Sequence, residues 1–507
     1  MGENRQCPHE ETLPDPQQSR HSITSLSSVA KTELVRGVPL DLCLQNWGVH
    51  FRAPHVGKEV DNFGLSHPAE HIDAFLSHDW RTSRFSKTIA LFLIFNSLPA
   101  CFAACLTSLL ASGMIALDSL PGSWITGSAA THAVFYLVFF FGQRLRRLAC
   151  LKPTLVFLDR LCIAQNDEEL KQEGVRNLAG ILARSRKLVI LWSPRYFTRL
   201  WCTFELATFL KEENVKPIQF MPTAMALLLW SASLVVTIGV SVYQSVTYRT
   251  QAGILEEPAG WSLNSILING SAMYISMFLV MAAPIYFGIQ HMRDLLKLEQ
   301  QMTGFSIKAS ECTCCVLNHR NPVTGEPLLC DRELVFQTLK RWYGTDTGSD
   351  DHLDRFDGVV RERLRRSVLR VVGSGAPPLR YLLAMVGTPS VAVWPQYVYL
   401  RNSEKAWFAT KWLIDFWKLP AVALWAFWVL VACWRTGAAV SRHCPMWMVL
   451  AGMDLMACFL VPAVWVPYEV LNERYRDPVV LTISVVLFWA LIVVMYGLLY
   501  KQKKCRV

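Results

Sequence analysis

A chain of 507 residues is long enough for two or three domains, yet 52% hydrophobic residues, 18 tryptophans and a mean hydropathy of +0.26 exceed what one soluble core needs. The formal charge of +10 comes without a basic groove interleaved with aromatics. That excludes nucleic acid as the expected partner and suits basic flanks facing anionic lipid. The 15 cysteines are scattered, many inside apolar runs, so they do not form a secreted disulfide framework and suit a reducing compartment.

Residues 1–40 are rich in Pro, Gln, Ser and charge, and read as a disordered tail holding Ser22, Ser25, Ser27 and Ser28. No apolar stretch precedes Ile89, so no signal peptide is expected, and Gln6 stands where a myristoylation signal has Ser or Thr. Residues 41–88 contain a first strand candidate, IDAFLSHDW at 72–80. Two uncharged runs follow, 89–117 and 124–142, separated by a turn at 118–123 and closed by Arg144, Arg146, Arg147 and Lys152. Each approaches the about 20 residues that cross a bilayer, so 89–142 reads as a membrane hairpin.

The stretch from Thr154 to Lys211 is the most informative. Residues 155–158 and 188–192 are short apolar runs rich in β-formers, bounded by polar residues, as buried parallel strands are. Between them Val175, Leu178, Ile181 and Leu182 recur at helical spacing. A second helix carries Trp201, Phe204, Leu206 and Leu210 on its apolar side, and 215–221 supplies a further strand.

These residues resemble a Toll/interleukin receptor (TIR) domain. LVFLD ending at Asp159, KLVILWS ending at Ser193, and WCTFEL, which contains Glu205, match the family's strand–loop and helix motifs; IDAFLSHDW matches its first strand. The resemblance covers roughly a quarter of the chain. It implies a flavodoxin-like parallel-sheet domain formed from 41–88 and 143–219 and split by the hairpin.

In NAD-cleaving members of that family the glutamate at the Glu205 position is catalytic. The resemblance therefore implies Glu205 as the carboxylate, with NAD as substrate. Ser77, His78, Asp79, Trp80 and Arg81 after the first strand, and Asp159, Arg160, Cys162 and Gln165 after the second, would complete the pocket. Trp80 or Trp201 would stack on a base or on nicotinamide, and Arg81 or Arg160 would meet a pyrophosphate. Other TIR domains only assemble, which implies a homo-oligomer whose contact surface is the loop at 159–173; both readings stay open.

Beyond the domain, 220–243 and 263–289 read as a second membrane pair within 220–289. A cytosolic helical and cysteine-rich block occupies 290–380, and the C-terminal membrane helices fill 381–500, with candidate runs at 381–400, 419–434, 446–468 and 478–500. The run at 381–400, with Gly387, Pro389 and Pro395, reads equally as re-entrant. Eight spans put Arg435, Arg442 and the basic tail at 501–507 on the cytosolic side, and seven would not. Loop 401–418 violates that rule, and the sequon at Asn269 abuts the membrane. Asp454, midway along 446–468, raises a different function, transport or conduction with the TIR-like domain as a regulatory module. A helix–helix hydrogen bond is its plainer reading.

In ECTCCVLNHRNPVTGEPLLCD, Cys312 and Cys315 have C-x-x-C spacing, and His319 and Cys330 would complete a tetrahedral zinc site with Cys314 alongside. A reduced cysteine-rich loop is the alternative. Residues 354–372 place Phe356, Val359, Val360, Leu364, Val368 and Val371 on one face, flanked by Arg361, Arg365, Arg366 and Arg370. That pattern suits a lipid surface or packing on the TIR-like core. The expectation is thus an α-helical multi-pass membrane protein of about eight spans plus a cytosolic TIR-like domain, with both termini cytosolic.

Overall fold

The computed structural model describes residues 34–52, 62–117, 119, 125–165, 167, 169–170, 173–174, 177–211, 217–254, 263–320, 325, 330–344, 351–372, 377–395, 405–474 and 478–505. The tail over 1–33, the hairpin turn apart from residue 119, residues 166, 168, 171 and 172 of the loop at 159–173 and the loop at 401–404 lie outside them.

Six strands form one mixed sheet: β1 (Arg36–Pro39), β2 (His67–Pro68), β3 (Ala74–His78), β4 (Leu155–Phe157), β5 (Leu188–Trp192) and β6 (Ile218–Pro222), in the order β2-β1-β4-β3-β5-β6. β3 pairs in parallel with β4 through Ala74↔Val156 and Phe75↔Phe157, and with β5 from Phe75↔Leu188 to His78↔Leu191. β5 pairs in parallel with β6. Every residue of β3 and β5 is buried, which is why both read as unbroken apolar runs. The Phe75 and Phe157 rings stack across the β3–β4 pair, 4.6 Å apart.

A purely parallel sheet is not what forms. β1 pairs antiparallel with both β4 and β2. Residues 36–39, assigned above to a disordered tail, are this strand, with Val35 and Val38 fully buried. Gly37 and Pro39 hid it, because both residues are depleted in strands.

Between β3 and β4 the chain runs out along α1 (Arg84–Ala116) and back along α2 (Ala130–Leu148), which pack on each other. Asn96 Nδ2 donates to Phe139 O at 2.8 Å and Gln143 Nε2 to Asn96 Oδ1 at 2.8 Å, tying the two together. Two helices lie against the sheet, α3 (Leu178–Arg184) and α4 (Leu200–Lys211). β6 leads directly into α5 (Thr223–Ile254), which packs along α6 (Leu263–Thr303). After the cysteine-rich block, whose main helix is α7 (Asp331–Tyr343), come α8 (Lys405–Val440), α9 (Met446–Arg474) and α10 (Pro478–Cys505).

The eight-span expectation does not hold. Among the described residues two helices are long and apolar enough to cross a membrane, Arg84–Ala116 and Thr223–Val242, and half of each apolar window is buried inside the protein. The other apolar helical stretches, Leu379–Val393, Leu424–Val440, Met446–Val461 and Thr482–Met495, are shorter. Hydropathy counted side chains that are buried against protein. Phe135 and Phe139 of α2, Ile285 and Ile289 of α6, and Phe427 and Trp434 of α8 are all at most 1% exposed.

The run expected at 381–400 is not a regular helix. Leu379–Val393 is a helical stretch that changes between α, π and 3-10 geometry, and three of its carbonyls are taken by neighbouring side chains: Pro389 O by His132 at 3.0 Å, Val391 O by Ser108 at 2.7 Å and Ala392 O by Gln244 at 3.0 Å. Gly387 and Pro389 disfavour a continuous helix, and buried carbonyls freed from the ladder need such partners.

Helices α6 and α8 cross where a Cβ on Gly288 would lie 2.3 Å from the buried Trp434 ring. Gly288→Ala is expected to lower stability by about 2 kcal/mol through overpacking against an indole that has nowhere to move. Thermal unfolding checks this, and an unchanged midpoint would show that the crossing is loose.

Candidate functional site

The carboxyl ends of β3 and β5 are where the connections diverge, from β3 toward β4 on one side and from β5 toward β6 on the other. Ser77 closes β3 there. Its Oγ donates to Glu205 Oε2 at 2.5 Å and lies 2.6 Å from the Tyr196 hydroxyl. Glu205 is reached because α4 lies against β3, with Cys202 Sγ donating to His78 O at 3.4 Å. The Glu205 carboxyl is pushed up to about 8, chiefly by burial; the Ser77 hydrogen bond opposes the shift and the nearby Asp159 adds to it.

Asp159 opens the short turn after β4. It accepts from Trp80 Nε1 at 3.1 Å and from the Arg160 amide at 2.8 Å, and burial raises it to about 6 against those hydrogen bonds. Two carboxyls near one another, both lifted, titrate apart, which lets one be neutral while the other is ionised. His78 is buried, held well below the ordinary imidazole range first by burial and then by the Lys87 ammonium, and its Nε2 has no hydrogen-bond partner among the described residues. It packs edge-on to Trp80 at 4.6 Å between ring centroids.

Several expected ligand groups are committed elsewhere. Asp79 is 1% exposed and pairs with Arg195 at 3.8 Å and Arg199 at 3.9 Å. The Arg160 guanidinium donates to Arg52 O at 2.8 Å. Arg81 is exposed, and Cys162 is buried. Gln165 donates back to Ile163 O at 3.0 Å. Trp201 faces away from the Ser77–Glu205 pair: its Nε1 donates to Asp331 Oδ2 at 3.1 Å. The structure thus brings Ser77, His78, Trp80, Asp159 and Glu205 together, and does not bring Trp201 or the Arg160 guanidinium to them.

Two groups were not foreseen. Lys87 is fully buried, and its Nζ donates to Phe51 O and Asp79 O, each at 3.2 Å, fixing the loop after β3. A lone cation one turn before an apolar run reads as a flank, so only its position gives it away. Tyr196 is fully buried against Ser77 and has no motif.

A second constellation lies in the cysteine-rich block. Cys314, Cys315, His319 and Cys330 bring one ligand atom each to within 4.8 Å of one another, a group that could hold a metal ion. Three of the four expected ligands, Cys315, His319 and Cys330, are in this group together with Cys314. Cys312 stands at the N-cap position of the short helix Thr313–Val316 with its Sγ 3.0 Å from Cys314 Sγ, and with Cys314 and Asp331 it forms a second group that could hold a metal ion. Asn318 and His319 both have positive φ, 51° and 54°, and the turn they make brings His319 to Cys314 and Cys315.

Elsewhere, Asp454 is 4% exposed in α9, and its Oδ1 has no hydrogen-bond partner among the described residues. The basic amphipathic helix packs inward on its apolar face: Phe356, Val360, Leu364 and Val368 are buried, and Phe356 meets Phe305.

Comparison with protein-family models, with curated proteins and with solved structures finds no match for this chain.

Glu205 titrates near 8 in the folded chain, against about 4.3 for an unfolded glutamate. The folded state keeps this proton over that interval, so the group's contribution to stability is complete below about pH 4.3 and is lost as pH rises toward about 8. Glu205→Gln removes that loss. Unfolding midpoints of the wild type are expected to fall relative to the variant as pH rises through this window; parallel curves would contradict an elevated Glu205.

Proposed function

We propose that the chain is a TIR-like signalling protein that cleaves NAD at Glu205, works as a homo-oligomer, and is seated at a membrane. The Ser77–Glu205 hydrogen bond at the diverging ends of β3 and β5 carries the reading. Ligands bind parallel sheets at such a point. In the reaction the ribose–nicotinamide bond breaks, water adds to the ribose carbon, and nicotinamide, ADP-ribose and a proton leave. Positive charge develops on the ribose, and an ionised carboxylate beside it stabilises that charge. Ser77 orients Glu205, and Trp80 with Asp159 walls the opposite side.

Assembly through the loop at 159–173 belongs to the same resemblance. The chemistry at Glu205 rests on a hydrogen bond within the chain and is the better supported half. Membrane seating is supported by α1, where Leu98, Phe102, Leu106 and Leu110 are exposed at four-residue spacing on one face. For the cysteine-rich block we assign zinc. Three thiols and an imidazole are a structural zinc donor set, and the Cys315 Sγ to Cys330 Sγ distance of 3.9 Å matches the edge of about 3.8 Å implied by Zn–S bonds of about 2.3 Å.

Purified chain incubated with NAD is expected to release nicotinamide, and Glu205→Gln to lose at least about a hundredfold in kcat/KM. Only the ionised carboxylate serves, so kcat/KM rises with pH and levels off above about 8. Equal turnover by wild type and variant removes Glu205 from the mechanism. Carbonate washing is expected to leave the protein in the membrane pellet, and its release into the supernatant would count against membrane seating.

A further inference from the structure

We infer that the metal held by Cys314, Cys315, His319 and Cys330 fixes the start of the helix that carries Glu205, with Asp331 and Trp201 as the link. The inference rests on the reading above for the role of Glu205, while the link itself is a matter of contacts.

Asp331 faces both ways. Its backbone amide donates to Cys314 Sγ at 3.3 Å, and its carboxylate accepts from Trp201 Nε1 at 3.1 Å. Trp201 is the second residue of α4, one helical turn before Glu205. An N–H aimed at a sulfur is the outer-shell contact that orients a ligating thiolate. A metal that pins Cys314 and Cys330 therefore also pins Asp331, the residue immediately after Cys330.

Two further contacts place the block against the same helix. Leu200 N donates to Glu311 O at 3.1 Å and Glu311 N to Thr198 O at 2.6 Å, so the segment entering the cysteines is bridged to the turn that begins α4. One turn along, Phe204 stacks on Trp342 of α7, with ring centroids 5.8 Å apart and planes 9° from parallel. Asn318 and His319 are both left-handed, a region L-residues populate sparsely, and ligation of His319 would hold them there. The His319 amide also donates to Cys314 O at 2.8 Å, closing that turn on the ligands.

With the metal gone, three thiols and an imidazole lose their common partner. The cysteine turn relaxes, Asp331 is no longer held, and the first turn of α4 loses its outer support. Glu205 then loses its fixed distance to Ser77. The block acts as a positioning device for the carboxylate and takes no part in the chemistry.

The test uses the full chain. Metal content is measured first, and one zinc per chain is expected; a chain that neither carries zinc nor takes it up from added Zn²⁺ overturns the inference. Hydrogen exchange is then followed by mass spectrometry with zinc bound, after chelation, and after Zn²⁺ is restored. Chelation is expected to speed exchange over 196–211 about tenfold, reversibly, while 74–78 is unchanged. Equal exchange over 196–211 with and without zinc overturns it. Cys330→Ser is expected to lose zinc and to behave as the chelated chain. Should that variant fail to fold, Trp201→Phe, which removes no ligand, carries the test: it keeps zinc, and exchange over 196–211 no longer responds to chelation. A response that survives Trp201→Phe overturns the link. NAD turnover is read alongside, and a chain inactive with zinc bound sinks the Glu205 reading while exchange alone still judges the coupling.

Discussion

The parallel pairing of β3 with both β4 and β5 holds the arrangement together. Between β3 and β4 the chain makes a long excursion through α1 and α2, yet Ala74 and Phe75 return to lie beside Val156 and Phe157. Closing so long a loop costs entropy that grows only slowly with length. The cost is offset because α1 and α2 form their own packed pair, and because β3, buried on both faces, contributes apolar burial that no exposed strand could. Without that return, Ser77 and Asp159 would have no common neighbourhood, and Glu205 would face no strand end.

Burial explains both the site and its chemistry. The loop after β3 is fixed from beneath by Lys87, whose ammonium is spent on backbone carbonyls, and from outside by Asp79 between two arginines. Lys87 also donates to Trp80 O at 3.5 Å. Both devices hold Trp80 over Asp159 and leave Ser77 free to meet Glu205. A carboxyl in such surroundings prefers its neutral form, and the serine hydroxyl moderates that preference. The cysteine-rich block lies against the opposite side of the same helix, so α4 is held between the sheet and a candidate metal centre.

What could be read from residues alone follows from how each feature is encoded. β3, β4 and β5 were legible because strands buried on both faces leave unbroken apolar runs. Ser77 and Asp159 were picked out because they stand at or next to the ends of those runs, and Glu205, inside α4, only through the motif WCTFEL. β1 was not, since Gly37 and Pro39 carry turn chemistry and only Val35 and Val38 reach the core. Span counting failed because Phe135, Ile289 and Trp434 are apolar for packing against other helices, and hydropathy cannot tell lipid from protein. The place of Cys314 beside Cys315, His319 and Cys330 was hidden because a backbone turn with positive φ, at Asn318 and His319, leaves no compositional trace. The partners of Trp201 and Arg160 lie at Asp331 and Arg52, far away in sequence, and no local pattern foretells them.

The central claim is that Ser77 and Glu205 act as one unit where β3 and β5 end. A double-mutant cycle on unfolding free energy tests it most directly, with Ser77→Ala, Glu205→Gln and the pair measured at one pH. Groups sharing a part-buried hydrogen bond are expected to couple by about 1 kcal/mol, so the double variant should fall short of the sum of the singles by that amount. Strict additivity would mean that the two side chains do not meet, and the account of the site would fail with them.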